Sequence, residues 1–108
     1  MTGNDYQRAA MRTDCEHKND YDMLRNAAYG LCGESGEVID LLKKHEFQKH
    51  PLNEDAIAEE LGDVLWYIAQ ACTSLGLPMD YVMEKNVEKL RKRYPDGFDS
   101  ERSIHREV

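Results

Sequence analysis

Two pairs of acidic residues carry the chemical signal in this chain: Glu34 with Glu37, and Glu60 with Asp63. Each pair is spaced i, i+3, which puts both carboxylates on one flank of an α-helix, a turn apart. Four carboxylates gathered in a partly buried groove would repel one another, and a bound cation is the natural compensation. Oxygen donors alone, without His or Cys, suit a hard divalent ion: Mg²⁺, with Mn²⁺ as a substitute. A single E-x-x-E or E-x-x-D says little, because exposed helix faces are rich in Glu. The case for a site therefore rests on whether the two pairs meet.

The elements that would bring them together follow from periodicity. Helix-period patterns dominate and no segment alternates as a strand, so the chain reads as all-α, a bundle of about four helices. The first helix is expected over residues 5 to about 13, with Asn4 as N-cap. A polar connector over 15–20 leads to a second helix from 21 to about 44, with an apolar stripe of Leu24, Ala28, Leu31, Val38 and Leu42. A loop over 45–52 contains Pro51. The third helix opens behind Asn53 and runs to about Leu75, with Ile57, Leu61, Val64, Ile68 and Leu75 as its stripe. Gly76 suits the left-handed residue after a helix, and Pro78 suits the first turn of a fourth helix ending near Tyr94. Pro95, Asp96 and Gly97 make a turn, and the polar tail 99–108 reads as a mobile segment or a lid.

With roughly 100° of rotation per residue, Glu60 and Asp63 lie beside the stripe of the third helix, and Glu34 and Glu37 beside that of the second, on the same rotational side. Antiparallel helices packed stripe to stripe are related by an approximate two-fold axis, so flanks of one hand end on one side. The pairs are also level, each centred roughly 13 Å from the expected turn. The expectation is four carboxylates facing one groove at one height. In the fourth helix Met83, Val87, Leu90 and Tyr94 form a stripe, with Asn86, Lys89 and Arg93 on one flank beside it. That amide and cationic edge suits phosphate oxygens, or else is a solvated basic flank. Gly30 shares the flank of Glu34 and Glu37; it would admit either a ligand or a neighbouring helix.

Composition narrows the classes. The 108 residues have room for a single domain and a limited core, so an oligomer is expected. The third helix also carries Trp66, Ala58, Leu65 and Ala69 opposite its stripe, more apolar surface than one partner covers, which makes Trp66 a candidate for a subunit interface. A net charge of −7, from 21 acidic and 14 basic residues, argues against a nucleic-acid polymer as partner but not against a nucleotide. No apolar run has transmembrane length and no signal peptide is visible, so no membrane association and a cytoplasmic location are expected. Cys32 and Cys72 read as reduced core thiols. His17, His45, His50 and His105 lack E-x-x-H spacing and read as ordinary polar residues.

Three stretches together resemble the MazG-like, all-α nucleoside triphosphate pyrophosphohydrolases: Gly30-Leu31-Cys32-Gly33-Glu34-Ser35-Gly36-Glu37-Val38, Glu59-Glu60-Leu61-Gly62-Asp63-Val64-Leu65-Trp66-Tyr67, and Lys85-Asn86-Val87-Glu88-Lys89-Leu90-Arg91-Lys92-Arg93-Tyr94-Pro95. The resemblance covers Tyr6 to Phe98. It implies Glu34, Glu37, Glu60 and Asp63 as Mg²⁺ ligands, and Asn86, Lys89 and Arg93 as phosphate contacts. It further implies hydrolysis of a nucleoside triphosphate to monophosphate and pyrophosphate, as house-cleaning of the nucleotide pool, and a helical bundle completed in a homodimer or homotetramer. On that reading either Glu37 or Glu60 orients or deprotonates the attacking water. Two other classes stay open at this level. A di-metal carboxylate bundle would want E-x-x-H, which is absent, and a non-catalytic nucleotide- or protein-binding module would keep the fold without turnover.

Overall fold

A computed structural model describes residues 1–106; Glu107 and Val108, at the end of the polar tail, lie outside the described residues. Side-chain caps fix where most of its helices begin. Helix α1 (Gly3–Met11) starts behind Thr2, whose Oγ1 accepts the Asp5 N–H at 3.0 Å while the Asp5 carboxylate accepts the Thr2 N–H at 3.0 Å. This capping box displaces the start from the expected Asn4. Helix α2 (Asp20–Phe47) begins behind Asn19, which accepts the Asp22 N–H at 2.8 Å. Helix α3 (Glu54–Ser74) begins behind Asn53, which accepts the Ala56 N–H at 3.0 Å.

Helix α4 (Met79–Arg93) has Pro78 at its N-cap and no capping side chain of its own. Residues of α1 do the work instead. Gln7 Oε1 accepts the Met79 N–H at 2.7 Å, and Asn4 Oδ1 accepts the Asp80 N–H at 2.9 Å. Asp80 Oδ1 in turn accepts the Asn4 N–H at 3.1 Å. Asn4 thus caps a helix 76 positions away rather than its own. The polar tail is not wholly irregular: residues Ser100–Ile104 form a short helix, α5, behind Asp99.

Helix α3 ends in a left-handed Gly76 (φ 68°), with Gly76 N–H bonded to the Thr73 carbonyl and Leu77 N–H to the Cys72 carbonyl. This crossed pair of bonds satisfies the last carbonyls and turns the chain into α4. The turn between α2 and α3 uses Lys49 at φ 59°, and His45 Nδ1–H donates to the His50 carbonyl at 2.8 Å.

Helix α3 is the centre of the molecule. Helix α2 runs antiparallel along one side of it, and α1 crosses the other side and also holds the start of α4. The core is small: Ala10, Ala69, Cys72 and Met79, with Tyr6, Met11, Trp66, Ile68 and Val82 packed around it. Trp66, expected at a subunit interface, packs against this core within the chain. Its Nε1–H reaches the Ala10 carbonyl and Thr13 Oγ1, each at 2.9 Å, so the face of α3 opposite α2 is covered by α1 of the same chain. Cys72 is buried, but Cys32 is exposed and is no core thiol. Leu42, Leu61 and Leu75, expected in the stripes, are exposed as well.

The chain does not close on itself. Its radius of gyration is 17.0 Å, against about 13 Å for a compact domain of about 100 residues. Beyond Met83 nearly all of α4 is exposed, and Tyr29, Ile39, Leu61 and Leu65 leave apolar surface uncovered. Among the described residues no helix is long and apolar enough to cross a membrane.

Candidate active site

Glu34 from α2 and Glu60 and Asp63 from α3 offer carboxylate oxygens that all lie within 4.8 Å of one another. Helix register brings them there. Gly30, one turn before Glu34, takes the Tyr67 ring directly onto its backbone, where a Cβ would overlap the ring. One turn earlier still, Asn26 Nδ2–H donates to Gln70 Oε1 at 3.0 Å. These two contacts fix the level of α2 against α3, and the next turn places Glu34 opposite Glu60 and Asp63.

Glu37 is not one of the converging groups. The face of α2 turned to α3 is formed by Ala27, Leu31, Val38 and Leu41, with Leu42 exposed. That face is rotated toward Glu34 from the stripe expected through Leu42. Glu34 therefore sits near its centre, half-buried, and Glu37, roughly 60° further round, is exposed.

The cluster bears the mark of crowded like charges. Glu60 titrates above its ordinary value of 4.5. The main cause is a hydrogen bond with Glu34; desolvation and the negative charges of Glu34 and Asp63 add to it. A proton kept on Glu60 to higher pH than on an isolated glutamate relieves part of the repulsion. A divalent cation would relieve it better, and three oxygen donors with open approach on the Asp63 side fit a hard ion. Tyr6 of α1 lies alongside: its hydroxyl donates to the Gly62 carbonyl at 3.4 Å, and burial, then the Asp63 charge, raises its pKa. Nothing in the sequence around Tyr6 signals this place, because α1 reaches the site only through packing on α3.

The basic flank lies elsewhere. Lys89 and Arg93 line an open groove of about 750 Å³ between α4 and α5, together with Lys92, Arg102, His105 and Arg106; Asp99 and Glu101 also border it. Asn86 is exposed and does not line the groove. Neither Lys89 nor Arg93 forms an ion pair with the carboxylate cluster among the described residues. Within one chain, α4 packs on α1 and only slightly on α3.

Comparison with known proteins supplies the family. The chain is 35% identical over 85 residues to the "Gene 37 protein" of Mycobacterium phage L5, an overlap that spans 72% of this chain and 75% of that protein. No solved structure matches it. Residues 24–98, which contain both acidic turns and the basic flank of α4, match the MazG nucleotide pyrophosphohydrolase domain, and the chain belongs to that family.

Proposed function

We propose that this protein hydrolyses (deoxy)nucleoside triphosphates to the monophosphate and pyrophosphate with Mg²⁺, clearing unwanted nucleotides from the pool. The observation that carries this reading is the meeting of Glu34, Glu60 and Asp63 in a MazG-family chain. These three residues would hold the cation. Bound Mg²⁺ supplies Lewis-acid polarisation of phosphoryl oxygens and a water of lowered pKa. Glu37, exposed a turn from Glu34, would take the proton of the attacking water on this reading, with Glu60 acting as a ligand; the exposure of Glu37 and the engagement of Glu60 with Glu34 support that division. Lys89 and Arg93, with Asn86 beside them, bind the phosphate oxygens of the departing pyrophosphate and offset their charge.

The cationic groove and the carboxylates stand on different parts of one chain, and apolar surface on α2 and α3 is uncovered. A homodimer or homotetramer would cover that surface and bring the groove of one copy to the cluster of another. The deciding experiment is a product assay across standard and modified triphosphates, with Mg²⁺ and with EDTA. Pyrophosphate and monophosphate are expected with Mg²⁺ and neither with EDTA. Release of orthophosphate alone, or no turnover of any triphosphate, overturns the reading.

A further inference from the structure

A second cluster lies about two turns along α3 from the first, at the connector between α1 and α2. Asp14, Cys15 and His17 offer an oxygen, a sulfur and a nitrogen that all fall within 4.8 Å of one another. A single atom, His17 Nε2, is the focus. It lies 2.9 Å from Asp14 Oδ1, 3.1 Å from Asp14 Oδ2 and 4.0 Å from Cys15 Sγ. One ring nitrogen thus faces a carboxylate and a sulfur at once, three donor types around a space that a cation would bridge.

Two of the three donors are enclosed, and the third, Cys15, is exposed beside them. The side chains of His17 and Asp14 are only 14% and 9% exposed. Gln70 of α3, fully buried, donates to Asp14 Oδ1 at 2.9 Å and touches His17 Nε2 at 3.3 Å. Gln70 is itself oriented by the Asn26 amide, and the Cys15 N–H donates to Asp14 Oδ1 at 3.0 Å. Ligand carboxylates are characteristically held by such outer hydrogen bonds. The separations also suit a tetrahedral ion. With metal–sulfur near 2.3 Å and metal–nitrogen or metal–oxygen near 2.0–2.1 Å, ligand atoms should stand about 3.6 Å (S to N) and about 3.3 Å (N to O) apart. The observed spacings differ from these by a few tenths of an ångström, within reach of side-chain rotation.

We propose that Asp14, Cys15 and His17 form a binding site for a borderline-soft divalent ion, Zn²⁺ above all, which ties the α1–α2 connector to α3. Thiolate and imidazole select such an ion over Mg²⁺. Binding releases the Cys15 thiol proton to solvent and leaves one tetrahedral position for water. The site is separate from the carboxylate cluster in residues and in preferred metal.

Titration of the metal-free protein with Co²⁺ tests this, because only a thiolate ligand gives the near-ultraviolet sulfur-to-cobalt charge-transfer band. The band should appear at one equivalent, vanish on adding Zn²⁺, and be absent from Cys15→Ser. It should persist in Cys32→Ser and in Glu60→Gln, which separates this site from the proposed active site. His17→Ala should weaken Zn²⁺ by more than about tenfold, with circular dichroism confirming the fold. No thiolate band in the wild type, a band that survives Cys15→Ser, or wild-type Zn²⁺ affinity in His17→Ala overturns the proposal.

Discussion

The two clusters beside α3 have the same count of donors within the same 4.8 Å but opposite construction. Glu34, Glu60 and Asp63 project from two regular helices, present only oxygen, and leave Asp63 exposed. Asp14, Cys15 and His17 sit on an irregular connector, mix three donor types, and are closed in from behind by a buried glutamine. An open, all-oxygen site keeps room for a phosphorylated substrate around a hard ion. A mixed one with two of its three donors enclosed suits a softer ion. On the proposed readings, access and donor chemistry, rather than proximity of ligands, separate a catalytic role for the first from a tethering role for the second.

The sharpest way to break this contrast is to remove one donor from each. Glu60→Gln or Asp63→Asn is expected to lower kcat by at least about 10²–10³-fold, the scale of losing one electrostatic element of a reaction centre. Circular dichroism should be unchanged. Cys15→Ser should leave turnover within about twofold. Equal losses from both variants in a pyrophosphate-release assay would abolish the division of labour.

Next in size is the contact that sets the level of the first cluster. In Gly30→Ala the new Cβ would overlap the Tyr67 ring, which is held edge-on to Trp66 at 5.0 Å and 84° and has little room to withdraw. A net destabilisation of about 1–2 kcal/mol is expected after the helix-propensity gain of alanine. Gly33→Ala and Gly36→Ala meet nothing within 4 Å and should each stabilise by up to about 1 kcal/mol. Denaturant unfolding of the three variants checks the order. If Gly30→Ala also unfolds later than wild type, the close approach of α2 and α3 is not what levels the carboxylates. A smaller effect is expected from the basic groove: Lys89→Ala should lower kcat/KM about tenfold, as for one charge-assisted phosphate contact, with part of the loss in kcat because that contact offsets leaving-group charge.

What could be read from sequence was mostly what is local. Asn53 and Gly76 mark the ends of α3 because a cap and a left-handed residue act within a few positions. The meeting of an acidic turn from α2 with one from α3 was legible too, since it needs only helix periodicity and a hairpin. Errors arose where a long-range partner decides. Asn4 is a good N-cap residue, but its partner, Asp80, is on α4. Trp66 was correctly placed opposite α2, yet the helix that covers it is α1 of the same chain. Leu41 rather than Leu42 faces α3, and that rotation of α2 puts Glu34 at the centre of the contact face and leaves Glu37 exposed. The D-x-x-H of Asp14 and His17 had no helix to give it a face, and Gln70, which holds Asp14, lies 56 positions away.

The smallest expected effect is also the one that distinguishes a proton from a cation in the first cluster. Because the folded Glu60 binds its proton more tightly than an unfolded glutamate, its contribution to stability is complete below about pH 4.5 and is lost as pH rises through the higher folded value. Carboxylates such as Asp5 and Asp40, held below their ordinary range by Thr2 and by Lys44, pull the other way, so the measurement is a difference between wild type and Glu60→Gln. Without metal, wild-type Tm should fall relative to Glu60→Gln as pH rises above about 4.5. With Mg²⁺ the fall should disappear, since the cation would replace the Glu60 proton as the counter-charge to the cluster. Cys15→Ser should follow wild type in both conditions, because its cluster holds neither that proton nor that ion. A relative Tm that rises with pH in the metal-free protein would mean that folding does not tighten the Glu60 proton, and that the crowding which calls for a cation is absent.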